Sequence, residues 1–117
     1  MRTIIKFLER PGDLPLLRFY IHDAPHRRQH YRVIEAYRRE LLAAAKAAGI
    51  PTPITRPVAL SALFIDPCSC DLDNLITALF RAIDGKAHKG SSILADDSLV
   101  HSIERTSKFY PGGYAEV

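Results

Sequence analysis

Short apolar stretches predict four β-strands. Residues 3–8 (TIIKFL) and 16–22 (LLRFYIH) are rich in β-branched and aromatic side chains, and the turn signal Pro11-Gly12-Asp13 separates them. Residues 58–65 (VALSALFI) form a continuous apolar run, which is typical of a central strand covered on at least one face. A last strand is predicted at about 99–105.

Two helices are predicted where apolar positions recur every three or four residues. The first runs from about residue 30 to 48, and Gly49 is well placed to end it. The second runs from about 72 to 83, and Gly85 is expected to stop it. Its apolar stripe is the cleaner one and comprises Leu72, Leu75, Ile76, Leu79, Phe80 and Ile83. The elements together predict an α/β (α+β) fold with a small mixed β-sheet and two main helices.

Length and composition indicate one globular domain over residues 1–117, since 47% of the residues are apolar and 25% are charged. No apolar run reaches the roughly 18 residues that a membrane span needs, and the N-terminus does not resemble a signal peptide. Cys68 and Cys70 are no disulfide framework, so a reduced, cytoplasmic protein is expected. Half of a zinc site completed across a dimer is the less favoured reading of this pair.

The charge balance permits a nucleic-acid partner without requiring one. Sixteen Lys and Arg against thirteen Asp and Glu give a net charge of +3. Arg27, Arg28 and Arg32 lie in the densest basic stretch, and guanidinium groups suit phosphate contact. A solvated connection explains this stretch equally well. Arg38 is expected on the outer face of the first helix.

Candidate chemistry lies in two acidic pairs. Asp71 and Asp73 begin the second helix, where a carboxylate ordinarily serves as a cap or in the first turn. Asp96 and Asp97 precede the last strand, where a turn pair is the ordinary explanation. If that strand lies beside strand 58–65, the two pairs are expected to converge. Such a cluster repels itself, and a hard cation such as Mg²⁺ or Mn²⁺ would relieve the repulsion.

These residues carry a resemblance to a known family. The run DLDNLITALFRAIDG, followed after a loop by ADDSLV leading into a strand, resembles the RusA family of Holliday junction resolvases. The resemblance follows most of the chain in order, but its specific part is residues 71–100. It implies a small homodimeric endodeoxyribonuclease that binds four-way DNA junctions and cuts two opposing strands symmetrically with Mg²⁺ or Mn²⁺. The family's habit also favours a phage or prophage origin.

The resemblance implies a role for individual residues. Asp71 and Asp73 match the two aspartates at the family's helix start, and Asp97 matches its third essential acid. Asp96 matches a frequent but less critical neighbour. All four are therefore expected near the metal, with Asp71, Asp73 and Asp97 required for catalysis.

The chain departs from the family pattern at a lysine that usually stands where this sequence has Thr77. The longer loop before Asp96 carries Lys86 and Lys89, either of which is expected to contact DNA and replace the missing charge. The basic residues that precede the first aspartate in some members are here Cys68-Ser69-Cys70. Two alternatives stay open: a junction-binding protein that does not cut, and a dimeric scaffold whose acids are structural.

Overall fold

The computed structural model describes residues 3–25, 31–67, 70–86 and 91–112. The chain is a small mixed α/β protein with one four-stranded sheet and two helices. The strands and helices are β1 Thr3–Leu8, β2 Leu16–His22, α1 Tyr31–Ala47, β3 Val58–Ile65, α2 Leu72–Ile83 and β4 Val100–Phe109. The predicted bounds are confirmed for β1, β2, β3 and α2, and α1 differs by one residue at each end. The last strand begins one residue later than predicted, after a single 3₁₀ turn at Asp97–Leu99, and extends to Phe109.

The strand order is β1-β2-β3-β4, with β1 antiparallel to β2. The pairs β2–β3 and β3–β4 are parallel, so α1 and α2 are both crossover helices. Such crossovers are almost always right-handed, and two successive ones in the same direction place their helices on the same face. The helices accordingly share one core with one face of the sheet. Its largest fully buried members are Leu17, Phe19, Ile21, Tyr37, Leu41, Leu60, Phe64, Leu75, Leu79 and Ile83.

Gly49 ends α1 as predicted. Its φ of 73° lies in the left-handed region, where a side chain would be strained. The Gly49 N–H donates to the Lys46 carbonyl and the Ile50 N–H to the Ala45 carbonyl, both at 3.0 Å. This pair of hydrogen bonds is a Schellman motif, which satisfies carbonyls that the helix would otherwise leave open.

The prediction that Arg38 lies on the outer face of α1 is wrong, because the residue is only 6% exposed. Its guanidinium donates to the carbonyl oxygens of Arg81 at 3.1 Å and Asp84 at 3.0 Å. A cation at a helix C-terminus satisfies open carbonyls and complements the negative end of the helix dipole. Arg38 thereby fixes the end of α2 against α1. Within the described ranges, neither helix is long and apolar enough to cross a membrane.

Candidate functional site

The first candidate site lies at the edge of the sheet where β2 and β3 end, here called the carboxyl edge. Both helices begin at this edge because each follows one of these strands. Asp71 occupies the N-cap position of α2, and its carbonyl accepts from the Asn74 N–H at 3.1 Å. Its side chain makes no capping hydrogen bond and is exposed. Asp71 is therefore the N-cap residue, as the ordinary interpretation predicts, but its carboxylate does not make the capping hydrogen bond.

Asp73 lies in the first turn of α2 and is also exposed. One turn further along, the Thr77 hydroxyl donates to the Asp73 carbonyl oxygen at 2.8 Å. Thr77 therefore bonds to its own helix and adds no charge one turn beyond Asp73. Two exposed carboxylates consequently stand at the positive end of the α2 dipole.

Two further aspartates, which belong to no motif of the sequence, lie at the carboxyl edge. Asp23 follows β2 and Asp66 follows β3, both in the left-handed conformation with φ of 52° and 49°. The Asp23 N–H donates to the Ile65 carbonyl at 3.2 Å, and the Asp66 N–H to the Phe109 carbonyl at 2.8 Å. Their backbones extend the sheet's hydrogen bonding by one residue, and their exposed carboxylates increase the acidity of this edge.

A cation that sequence reasoning missed lies beside the start of α2. Lys108, near the end of β4, donates from Nζ to the carbonyl oxygen of Cys70 at 3.0 Å. Cys70 directly precedes Asp71, so the ammonium group lies near the backbone at the start of α2, although it forms no ion pair within 4.0 Å with Asp71 or Asp73. The parallel pairing of Phe64 with Lys108 places it there, and only knowledge of the β3–β4 register would have identified it.

The second candidate site lies at the opposite edge of the sheet, here called the amino edge, where β3 and β4 begin. Asp84, Asp96 and Asp97 each offer a carboxylate oxygen, and these oxygens lie within 4.8 Å of one another. We call these three residues the amino-edge triad. Asp84 directly follows α2, and its Oδ1 accepts from the backbone N–H groups of Lys86 and Asp97, both at 3.1 Å. Three carboxylates are a donor set that suits a hard divalent cation.

Lys86 already supplies a positive charge to the amino-edge triad. Its Nζ lies 3.3 Å from an Asp97 oxygen and 3.5 Å from an Asp96 oxygen. The hydrogen bond to Asp97 and the charge of Asp96 raise the pKa of Lys86. The pKa of Asp96 is lowered, chiefly by the hydrogen bond from the Ser98 backbone N–H and then by Lys86. Asp96 is therefore ionised at neutral pH, and Lys86 is a counter-ion to both Asp96 and Asp97.

Close packing at Gly85 brings the amino-edge triad together. An added Cβ would lie 2.8 Å from the Ala95 carbonyl oxygen, and closer still to the Leu94 carbonyl oxygen and Ser92 Oγ. α2 already ends at Ile83, and Gly85 does not adopt the positive φ that favours glycine, so this glycine is required for the close contact rather than for ending the helix. The Leu94 N–H donates to the Ile83 carbonyl at 3.0 Å, which secures the segment before Asp96 against the end of α2.

The expected convergence of Asp71 and Asp73 with Asp96 and Asp97 does not occur within one chain. α2 has 12 residues, and at 1.5 Å per residue it spans about 18 Å between the two edges. Asp97 bonds to Asp84 beyond the far end of that helix. The reason is the parallel pairing of β3 and β4, because α2 begins where β3 ends while β4 begins where β3 begins.

Of the basic residues singled out from the sequence, the two that the structure describes, Arg32 and Lys86, lie at opposite edges. Arg32 is exposed in the first turn of α1, at the carboxyl edge. Arg27, Arg28 and Lys89 lie outside the described residues, as does Cys68. The segment that contains Arg27 and Arg28 is nevertheless flanked by residues 23–25 and by the start of α1, both at the carboxyl edge.

Comparison of the chain with models of protein families, with curated proteins and with solved structures finds no match.

Replacing Lys86 with methionine is expected to strengthen Mn²⁺ binding at the amino-edge triad by about threefold to tenfold. The reason is that Lys86 forms ion pairs with both Asp96 and Asp97, and a bound cation would compete with it for the same oxygens. Titration calorimetry with MnCl₂ measures the change. Lys46→Met is the matched control, since it removes the same charge from the last turn of α1. Equal Mn²⁺ affinity in both variants would show that Lys86 does not compete with a cation.

Proposed function

We propose that this protein is a metal-dependent endodeoxyribonuclease that binds four-way DNA junctions and cuts them symmetrically, as the resemblance to the RusA family implies. The observation that carries the proposal is the exposure of the Asp71 and Asp73 side chains. Both are exposed at the start of α2, and Asp71 is not used as a side-chain cap although it occupies the cap position. A ligand for a cation needs free carboxylate oxygens of this kind.

The proposed enzyme is a homodimer, and the geometry gives a specific reason for two subunits. Asp97 lies about 18 Å from the start of α2 in its own chain, which is too far for one metal site. A partner subunit placed with its amino edge against this carboxyl edge would bring both groups together. Two-fold symmetry then produces two equivalent sites, as cutting of two opposing strands requires.

Hydrolysis of a phosphodiester bond requires an activated water, neutralisation of charge on the phosphoryl oxygens and stabilisation of the leaving oxygen. Mg²⁺ or Mn²⁺ held by carboxylates supplies these when bound. Asp71 and Asp73 would hold the ion from one subunit, with Asp97 and its neighbour Asp96 from the other. Lys108, whose ammonium group lies near the backbone at the start of α2, is placed to attract the scissile phosphate in the role of the lysine that Thr77 replaces.

DNA contact is proposed along the carboxyl edge. Arg32 is exposed there, and the segment bearing Arg27 and Arg28 starts and ends there. Arginine forms paired hydrogen bonds with phosphate oxygens, so these three side chains would position the DNA backbone beside Asp71. Lys86 belongs to the amino edge and would approach DNA only where a partner subunit brings that edge to the junction; the same proposal extends to Lys89.

A second candidate function is junction binding without cutting. Lys86 favours it, because an internal ammonium group already offsets the amino-edge triad and weakens the need for a metal there. Under this proposal the basic residues bind the branched DNA, while the aspartates serve the structure. The two functions differ in their metal requirement and in their products.

The test is incubation of the purified chain with a synthetic four-way junction in MgCl₂ and, separately, in EDTA. Symmetric paired cuts in MgCl₂ only, with junction binding in both buffers, support the nuclease. Binding in both buffers without cuts in either supports the second candidate. Absence of junction binding in both would reject both functions.

A further inference from the structure

The face of the sheet opposite the helices is a second surface of distinct chemistry. Both helices pack on the other face, with Ile5, Phe19 and Leu60 in the shared core. Side chains alternate along each strand, so the intervening residues lie on the opposite face. We call that surface the open face; it includes Ile4, Lys6, Arg18, Tyr20, Ile65 and Phe109.

One end of the open face carries aromatic and apolar groups in adjacent rows. The strand register places Ile4 beside Tyr20 and Leu63, and His22 beside Ile65 and Phe109. Ile4 and Phe109 are 59% and 51% exposed, which is unusual for side chains of this size. Ile4, Tyr20, His22 and Ile65 line a hollow of about 220 Å³. The hollow therefore offers ring faces and aliphatic walls to a flat ligand.

The next row of the open face is basic. Lys6 and Arg18 are directly opposed cross-strand partners, although like charges in that position repel each other. Neither forms an ion pair within 4.0 Å with an acid in the described part of the chain. Glu104 on β4 is already bound by Arg10 through two hydrogen bonds of 2.9 and 2.7 Å. Arg18 contributes to the lowered pKa of Glu104 after the larger effect of Arg10, but the row presents two positive charges without a direct ion pair to a described acid.

The positive charges and the aromatic rings of the open face together favour one class of ligand. Lys6 Nζ lies 5.8 Å from the centre of the Tyr20 ring, so the cation and the aromatic group form one continuous surface. A second copy of this chain seated on the same face would add two more lysine and arginine charges to those already there. A single strand of nucleic acid instead supplies phosphates for the basic row and bases that stack on aromatic rings.

We propose that the open face binds an unpaired DNA strand, with bases on Tyr20 and Phe109 and phosphates on Lys6 and Arg18. The proposal rests on the proposed function for the nature of the nucleic acid, and it adds a surface distinct from both acidic edges. If the enzyme opens the base pairs at the branch point, this surface would hold the bases that become unpaired. Every base has a π-face, so binding on this face is tolerant of sequence.

The test measures the affinity of the full chain for fluorescent oligo(dT) by anisotropy, with EDTA present so that no strand is cut. Tyr20→Leu and Phe109→Leu keep apolar bulk but remove a ring, and each is expected to weaken binding roughly tenfold. Lys6→Gln with Arg18→Gln is expected to reduce the log–log salt slope by about 1.4, from two phosphate contacts of about 0.7 each. Arg39→Gln with Lys46→Gln is the control, since it removes two exposed charges from α1.

Each outcome of this test supports or overturns the proposal. Loss of oligo(dT) affinity in the open-face variants but not in the control supports it. Unchanged oligo(dT) affinity in the open-face variants overturns it. If these variants also show a lower molar mass by light scattering, the open face is instead the contact surface for a second copy of the chain. Junction cutting by the native chain separates the two proposals. If the native chain binds oligo(dT) but does not cut junctions, the nuclease is rejected and the proposal for the open face stands.

Discussion

Mixing Asp71→Asn subunits with Asp97→Asn subunits is expected to restore cutting that each variant lacks alone. Each substitution removes one proposed metal ligand and keeps the shape of the side chain, so each variant alone should lose roughly a hundredfold or more of its activity. In a mixed dimer one site receives both asparagines, while the other receives Asp71 from one subunit and Asp97 from the other. The intact site would nick one strand of the junction.

The measurement is the yield of nicked junction after equal amounts of the two variants are unfolded and refolded together. Random pairing makes about half of the dimers mixed, each with one working site, so about a quarter of the native nicking activity is expected. A mixture of Asp71→Asn with Asp73→Asn is the matched control, because these residues share one subunit's half of the site and no pairing restores it. Equal recovery in both mixtures, or in neither, would contradict a site shared between subunits. Native activity in the separate variants would contradict the ligand assignment itself.

Gly85→Ala is expected to destabilise the protein by about 3 kcal/mol. The added methyl group would press against the Leu94 and Ala95 carbonyl oxygens and against Ser92 Oγ, and backbone atoms there can give way only by separating α2 from the segment before Asp96. Urea unfolding followed by circular dichroism measures the loss of stability. The same displacement should weaken Mn²⁺ binding at the amino-edge triad, because Asp84 follows α2 and Asp96 follows that segment.

Gly112→Ala is the control for Gly85→Ala, since a Cβ at Gly112 meets no atom within 4 Å. It makes the same change in the unfolded chain, so the difference between the two variants isolates the contact. Unfolding midpoints that agree for both variants would show that the close approach at Gly85 is not required.

Sequence periodicity determined the secondary structure of this protein because the pattern is local. The three-and-four spacing from Leu72 to Ile83 placed α2 at its observed bounds, and the short apolar runs located three strands at theirs. The position of Asp71 and Asp73 at the start of α2 follows from the same pattern. Two strands that are connected by a helix usually pair in parallel. The separation of Asp73 from Asp97 could therefore have been anticipated from the order of the elements.

Only the tertiary structure decided which side chains meet across the fold. The contact of Lys108 with Cys70 depends on the register of β4 against β3, and the hydrogen bonds from Arg38 depend on the packing of α1 against the end of α2. Asp84 joins Asp97 because Gly85 lets two backbones approach. These contacts join residues far apart in the chain, and a local pattern carries no information about them. The sequence by itself thus determined the elements and the exposed aspartates of α2, while packing and strand register divided the acids between two edges and left one face of the sheet open.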